Sequence, residues 1–506
     1  MPQNPTMDEA TQIPVCQHLI GMWQRRCTRG VTLCALMMGL GGANVQADPG
    51  LPKPVREAME QAQISPQSLA AVVWPLHSLS RRWEHQADRP MPPASIIKVL
   101  TTAVALHKLD PELRSRTDLL TDAVQDGEVL RGDVYWRGGA DPQLGLGEIT
   151  QMLLELRERG VREIAGDVVL DRSLFQPTRT DRGLAPFDDR SEFPYNVVPD
   201  ALQFAGNVLG VDLSADEQRL TVRSMPALPG VQFITDKMRL TSTPCAQWRQ
   251  EWRTPLVTHQ AQGVDVVLQG GFPRQCSVRA WLNLIERDRL AELTFQALWA
   301  RLGGTWSGKV REGLTPAQAR VVATHEGPLW RELIRPINKR SDNAYTRLLY
   351  LTLGTQPGLS GPVGPASTTA ARAEQAVREW LTEHRISHET LVLDNGSGLS
   401  RTERLSARLL AQVLKTTLEG PHAPDLLMSL PIAGVDGAMK LRLQSSVAAQ
   451  WSRLKTGALN DVVSVAGVVY DAQRRPHIVV AMVHHPEARR ARAALDALID
   501  WVARGR

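Results

Sequence analysis

The sequence predicts an α/β fold of the α+β kind: a sheet whose flanking helices come from both chain ends, a mostly helical middle, and an inserted β-rich region. Three observations carry that prediction. Strand and helix patterns alternate near both ends of the chain; between about 113 and 285 the texture changes to short β-type runs broken by Pro and Gly; and helical periodicity returns from 287. With 506 residues, 43% of them hydrophobic, the chain can bury at least one large core and divide into two or three domains. The net charge of +5 comes from 58 basic and 53 acidic residues spread along the chain, with no polybasic block for nucleic acid or anionic lipid.

The N-terminus reads as an export signal over 1–47. Arg25, Arg26 and Arg29 precede an apolar stretch from Val31 to Leu40, and Val45-Gln46-Ala47 is a small-residue cleavage site. An uncleaved anchor is the alternative, but the apolar run is far short of the roughly 20 residues a span requires, and no other segment approaches it. The lead before that run is long for a signal, so translation from Met22 rather than Met1 is the expectation. Removing the leader takes Cys16, Cys27 and Cys34 with it and leaves Cys245 and Cys276. In an oxidising compartment those two are expected to pair, closing a loop that contributes about 3 to 4 kcal/mol; two buried thiols are the alternative.

The first mature stretch, LPKPVREAMEQAQI, has the spacing of a short amphipathic helix, and SLAAVVWPL with SRRWEHQADRP reads as a strand pair. From Ile96 to Leu109 there is neither Gly nor Pro, and apolar residues recur so closely that the helix must be buried on most sides. Pro92 and Pro93 punctuate its start. The inserted region shows strands in GDVYWRGG, GDVVLDRSLF, QRLTVRSM and GVDVVLQGGF, with one helix in GEITQMLLELRERG. Residues 286–506 return to the outer domain begun at 48–112, with helices in RDRLAELTFQALWARLGG and GPLWRELIRPINKRSDNAYTRLLYLTLG. Residues 355–369 are Gly/Pro/Ser-rich and read as a surface loop. The chain closes with an alternating hairpin, VVSVAGVVYD and RRPHIVVAMVHH, and an amphipathic helix that can cover its face.

Three short motifs carry chemistry. Ser95-Ile-Ile-Lys98 lies at the start of the buried helix, where positions i and i+3 share a face. A Ser-x-x-Lys match arises by chance about twice in such a chain, and Ser452 to Lys455 is a second one. What favours the first is the lysine. A serine hydroxyl needs a base to become a nucleophile, and a buried lysine can serve where an arginine cannot. Of the basic residues 49 are Arg and only 9 are Lys, so a Lys kept in an apolar helix is hard to explain as a generic charge. The competing reading is a lysine that snorkels to solvent. Ser341-Asp342-Asn343 sits at a helix entry, where capping is the alternative role. Lys455-Thr456-Gly457 opens an edge strand, and a glycine there lets a ligand approach the backbone.

In this order and on these elements, the three motifs resemble those of the serine-type penicillin-recognising enzymes. Ser95 and Ser341 are 246 positions apart, far more than a minimal enzyme of that fold needs, and the excess matches the insertion at 113–285. That architecture is similar to the class C low-molecular-mass penicillin-binding proteins, the D-alanyl-D-alanine carboxypeptidase/endopeptidases of the penicillin-binding protein 4 family. The likeness extends to RGGADPQL, GDVVLDRSLF, DNGSGLSR and LPIAGVDGAMK, and covers nearly all of the mature chain.

The resemblance implies a serine β-lactamase/transpeptidase-like domain, an antiparallel sheet with flanking helices and a helical subdomain, carrying inserted β-rich domains. It also implies roles. Ser95 attacks the penultimate D-Ala carbonyl of a peptidoglycan stem peptide, Lys98 takes its proton, and the amides of Ser95 and Ala458, placed by Gly457, hold the oxyanion. Ser341 relays a proton to the leaving amine with help from Lys455, Asn343 bonds the substrate backbone, and Thr456 its carboxylate. No cofactor or metal enters; β-lactams are the covalent inhibitors, the location is periplasmic, and a homodimer is compatible with the family. A β-lactamase is the nearest rival, but no Glu-x-x-Leu-Asn segment stands between the first two motifs to drive rapid deacylation. A non-catalytic wall-binding module is the other, and the intact Ser95 and Lys98 speak against it.

Overall fold

The computed structural model describes residues 50–78, 82–260, 263–358 and 367–505. The expected leader and the centre of the loop expected at 355–369 lie outside the described residues.

Five antiparallel strands make the outer sheet, in the order Arg453–Ala458, Val462–Tyr470, Pro476–His484, Leu69–Pro75, Trp83–His85. Side chains alternate across it with period two. Along Leu69–Pro75, Leu69, Ala71 and Val73 enter one apolar cluster while Ala70, Val72 and Trp74 enter another. The strand reads as an unbroken apolar run because both faces are covered. The first face packs on the first and last helices, Lys53–Gln61 and Arg492–Ala503, through Val55, Met59, Leu495, Leu498 and Val502. The second packs on a helical half built around Ile97–Lys108, where every residue from Ile97 to Leu106 is buried. Helices Trp330–Arg340, Asn343–Leu353, Thr369–Glu383 and Ala407–Leu418 pack around it.

The buried helix differs from its sequence reading at the entry. Ala94–Ile96 forms a 3₁₀ turn before the α-helix begins, and Ala94 takes φ 48°. Ser95 therefore stands in a tight turn at the helix foot, behind a residue held in the left-handed region at about 1 to 2 kcal/mol.

The inserted region contains a five-stranded mixed sheet in the order Val310–Glu312, Val168–Asp171, Val134–Arg137, Arg114–Thr121, Arg320–Leu329, and two three-stranded sheets between 209 and 282. The sequence pattern places the return to the outer domain at 286. Here the helix Arg287–Arg301 still packs in the inserted clusters through Leu290, Phe295 and Trp299, and Arg320–Leu329 still pairs with Arg114–Thr121. The strand that leaves the outer domain and the strand that returns to it are partners, so the inserted sheets close at Leu329. Within the smaller sheets, Cys245 and Cys276 are bonded, S–S 2.01 Å and Cα–Cα 5.4 Å.

Candidate active site

At the foot of the buried helix, Lys98 Nζ lies 3.1 Å from Ser95 Oγ and 2.7 Å from Asn343 Oδ1, and donates to the Ser397 carbonyl. The snorkelling alternative is gone, since Lys98 is 0% exposed. Burial lowers its pKa to about 7, against the opposing pull of the Glu403 and Asp342 charges. No carboxylate among the described residues ion-pairs with it. Near pH 7 a large share of Lys98 is therefore a neutral amine, able to accept a proton from the hydroxyl one turn earlier.

A second serine–lysine pair faces the first. Lys455 Nζ donates to Ser341 Oγ at 2.8 Å and to the Thr456 carbonyl at 2.6 Å, and burial pushes its pKa well down, with the Lys98 charge adding to the shift. Ser341 ends the helix Trp330–Arg340 in the left-handed region, φ 59°. The capping role falls to Asp342, whose carboxylate accepts the Tyr345 amide at 3.0 Å. That leaves the Ser341 and Asn343 side chains for the cleft. Asn343 bridges two walls, since its Nδ2 donates to the Tyr195 carbonyl at 3.0 Å.

Two glycines let the walls close on Ser95. A Cβ at Gly457 would sit 2.8 Å from the Ser95 nitrogen and 2.3 Å from Ser464 Oγ; one at Gly398, φ 82°, would sit 2.1 Å from the Ala94 carbonyl oxygen. Ser464 Oγ in turn donates to the Pro93 carbonyl at 2.7 Å, tying the serine turn to the sheet. The edge strand thus runs directly beside the Ser95 amide. Ser95, Ser341, Asn343 and Ala458 line a cavity of about 320 Å³, walled also by Tyr195 and Arg401. Lys98 and Lys455 are buried beside it, and Thr456 is half-buried on the edge strand.

Every residue singled out for catalysis in the sequence converges here. What sequence reasoning missed are the backbone acceptors, Ser397 and Tyr195, and the buried Glu403. The string DNGSGLSR had marked the Ser397 neighbourhood without giving it a role. Ser452, partner of the chance Ser-x-x-Lys match, is buried just ahead of the edge strand Arg453–Ala458 and outside the lining of this cavity.

A helix-flanked antiparallel sheet with an amine-armed serine at the foot of its buried helix defines a class, the serine penicillin-recognising enzymes. The D-Ala-D-Ala carboxypeptidase 3 (S13) family pattern matches residues 51–504, so the chain belongs to that family and is a serine-type D-Ala-D-Ala carboxypeptidase. It is 28% identical over 386 residues to the D-alanyl-D-alanine carboxypeptidase DacB of Haemophilus influenzae, covering 75% of this chain and 78% of that one. To the D-alanyl-D-alanine carboxypeptidase of Actinomadura sp. (strain R39) it is 25% identical over 389 residues, 74% of this chain and 70% of the relative. The fold is that of the crystal structure of penicillin binding protein 4 from Haemophilus influenzae, with a TM-score of 0.71 at 23% identity, covering 88% of this chain and 98% of that one.

Proposed function

We propose that Ser95 is the acylated nucleophile, Lys98 its general base, and Ser341 with Lys455 the route by which the proton reaches the departing amine. The observation that carries this reading is the buried amine of Lys98, with a pKa of about 7 and no ion-paired carboxylate among the described residues, at 3.1 Å from Ser95 Oγ. Oγ bonds to the penultimate D-Ala carbonyl carbon as its proton passes to Lys98 Nζ. The carbonyl oxygen takes the negative charge between the Ser95 and Ala458 amides. The C–N bond then breaks, and the proton moves through Ser341 Oγ to the leaving nitrogen. Water then attacks the acyl carbonyl as Lys98 takes its proton, and that proton returns to Ser95 Oγ as the ester C–O bond breaks. Asn343 and Thr456 hold the substrate's amide and terminal carboxylate.

The substrate is a peptidoglycan stem peptide, either free-ended or crosslinked, since a carboxypeptidase and an endopeptidase pass through one acyl-enzyme and differ only in the amine that departs. β-Lactams acylate the same hydroxyl. The protein works in the periplasm after loss of residues 1–47, and the Cys245–Cys276 bridge suits that oxidising compartment. Digestion of purified crosslinked muropeptides tests the assignment. Ser95→Ala should fold, release no D-Ala, open no crosslinks and take no covalent penicillin; D-Ala release by that variant would refute it.

A further inference from the structure

Glu403 is a buried carboxylate, 1% exposed, that the mechanism above does not use. Its Oε1 accepts the amides of Asn395 at 3.1 Å and Gly396 at 2.7 Å. These residues open the turn whose Ser397 carbonyl receives the Lys98 ammonium, and whose Gly396 carbonyl accepts Thr101 Oγ1 at 2.7 Å from the same buried helix. Gly398, two residues on, lies against Ala94 and Ser95. One carboxylate oxygen thus ties a four-residue turn to the serine, to the lysine and to the helix that carries both.

We infer that Glu403 is a positioning residue for acylation: it holds the 395–398 turn so that the Ser397 carbonyl meets Lys98, and as a buried carboxylate behind that turn it offers a counter-charge to the ammonium. The inference rests on Lys98 being the base. Other charges facing Lys98 come from every wall. Asp342 and Arg347 stand at and just beyond the start of the helix Asn343–Leu353, and Lys455 stands on the edge strand. Asp394 bears on Glu403 itself. Of these, Glu403 does most to keep the proton on Lys98, against the burial that drives it off, while Arg347 works the other way. Burial also raises the Glu403 pKa, but the two amides bonding its oxygen favour the ionised form.

The test is the second-order rate of acylation by a fluorescent penicillin between pH 5 and 9, normalised to the fraction of protein that titrates with the drug. Wild type should rise through a limb near pH 7, where Lys98 loses its proton. Glu403→Gln keeps an acceptor for both amides but removes the charge, which disfavours the ammonium, so its limb should move about half a unit or more to lower pH. Glu403→Asp keeps the charge and withdraws the oxygen; its limb should stay while its plateau falls, by about tenfold. A Gln limb superimposed on wild type would overturn the counter-charge role, and an Asp limb displaced as far as Gln's would do the same. An undiminished Asp plateau would overturn the tie to the turn. Failure of the underlying reading looks different: a wild type with no limb near 7, or a Lys98→Arg variant that acylates normally.

Discussion

Lys98 and Lys455 are buried among hydroxyl, amide and carbonyl oxygens, whereas Arg172, Arg179 and Arg287 are buried or nearly so among five carboxylates. In the second cluster Arg172 lies 2.7 Å from Asp288 and 2.9 Å from Asp200, the latter off-axis for a hydrogen bond. Arg179 reaches Asp181, Glu286, Asp288 and Glu312, all within 3.1 Å, and Arg287 reaches Asp200 at 2.5 Å. These groups gather where the strand Val168–Asp171, the helix Arg287–Arg301 and the strand Val310–Glu312 meet, so the network cements the inserted region. The difference is one of purpose. A guanidinium that never loses its proton can be buried only with close counter-charges, and it then fixes geometry; an ammonium buried without an ion-paired carboxylate has its pKa lowered, for Lys98 to about 7. A chain with 49 Arg and 9 Lys has placed two of its few lysines where burial lowers their pKa.

The most severe way to break the contrast is to exchange the cations. Lys98→Arg puts a permanent charge where a base is needed, and β-lactam acylation should fall by about 10³-fold or more, measured as the covalent labelling rate. A residual rate near wild type would mean the amine is structural. Next in size is Arg172→Met, which leaves the fully buried Asp200 with Arg287 alone. Stability should drop by about 3 kcal/mol in urea unfolding, while the acylation rate per folded molecule stays within about twofold. If activity fell with stability, the network would reach the cleft and the two regions could not be treated apart.

The two clusters were unequally legible in the sequence. The lysines announced themselves because each motif is local: Ser95 and Lys98 share a helix face, and Lys455 precedes a glycine on a strand. The Arg/Lys bias added weight to Lys98. The oxygens that complete the site did not, since the Ser397 carbonyl is 299 positions from Lys98 and the Tyr195 carbonyl 148 from Asn343, and a backbone carbonyl leaves no residue-type signature. Glu403 looked like any surface glutamate in a run of Arg and Thr. The arginine network was invisible for the same reason, spread from Arg172 to Glu312 with nothing in any one segment to mark it. Its extent also explains the boundary at 286: RDRLAELTFQALWARLGG has the periodicity of any amphipathic helix, and only the fold says which core it faces.

The smallest effect is the sharpest, because it concerns sign. Lys98→Met should abolish acylation yet leave the protein as stable as wild type or more so at pH 7, the reverse of Arg172→Met. An unfolded lysine titrates near 10.4, and Lys98 in the fold near 7. Between those values the unfolded chain binds a proton that the folded one does not, so wild-type stability rises with pH across that window as the unfolded side gives up its advantage. Below pH 7 both states are protonated and the full penalty of burying the ammonium remains. Methionine carries no such penalty. The stability difference between Lys98→Met and wild type should therefore be largest at pH 7 and below, shrink steadily as pH rises, and level off above about 10.4, which urea titrations at several pH values would measure. A difference that does not change with pH would mean that Lys98 keeps its proton inside the fold as readily as outside it, and the distinction between a lysine buried to react and an arginine buried to hold would be lost.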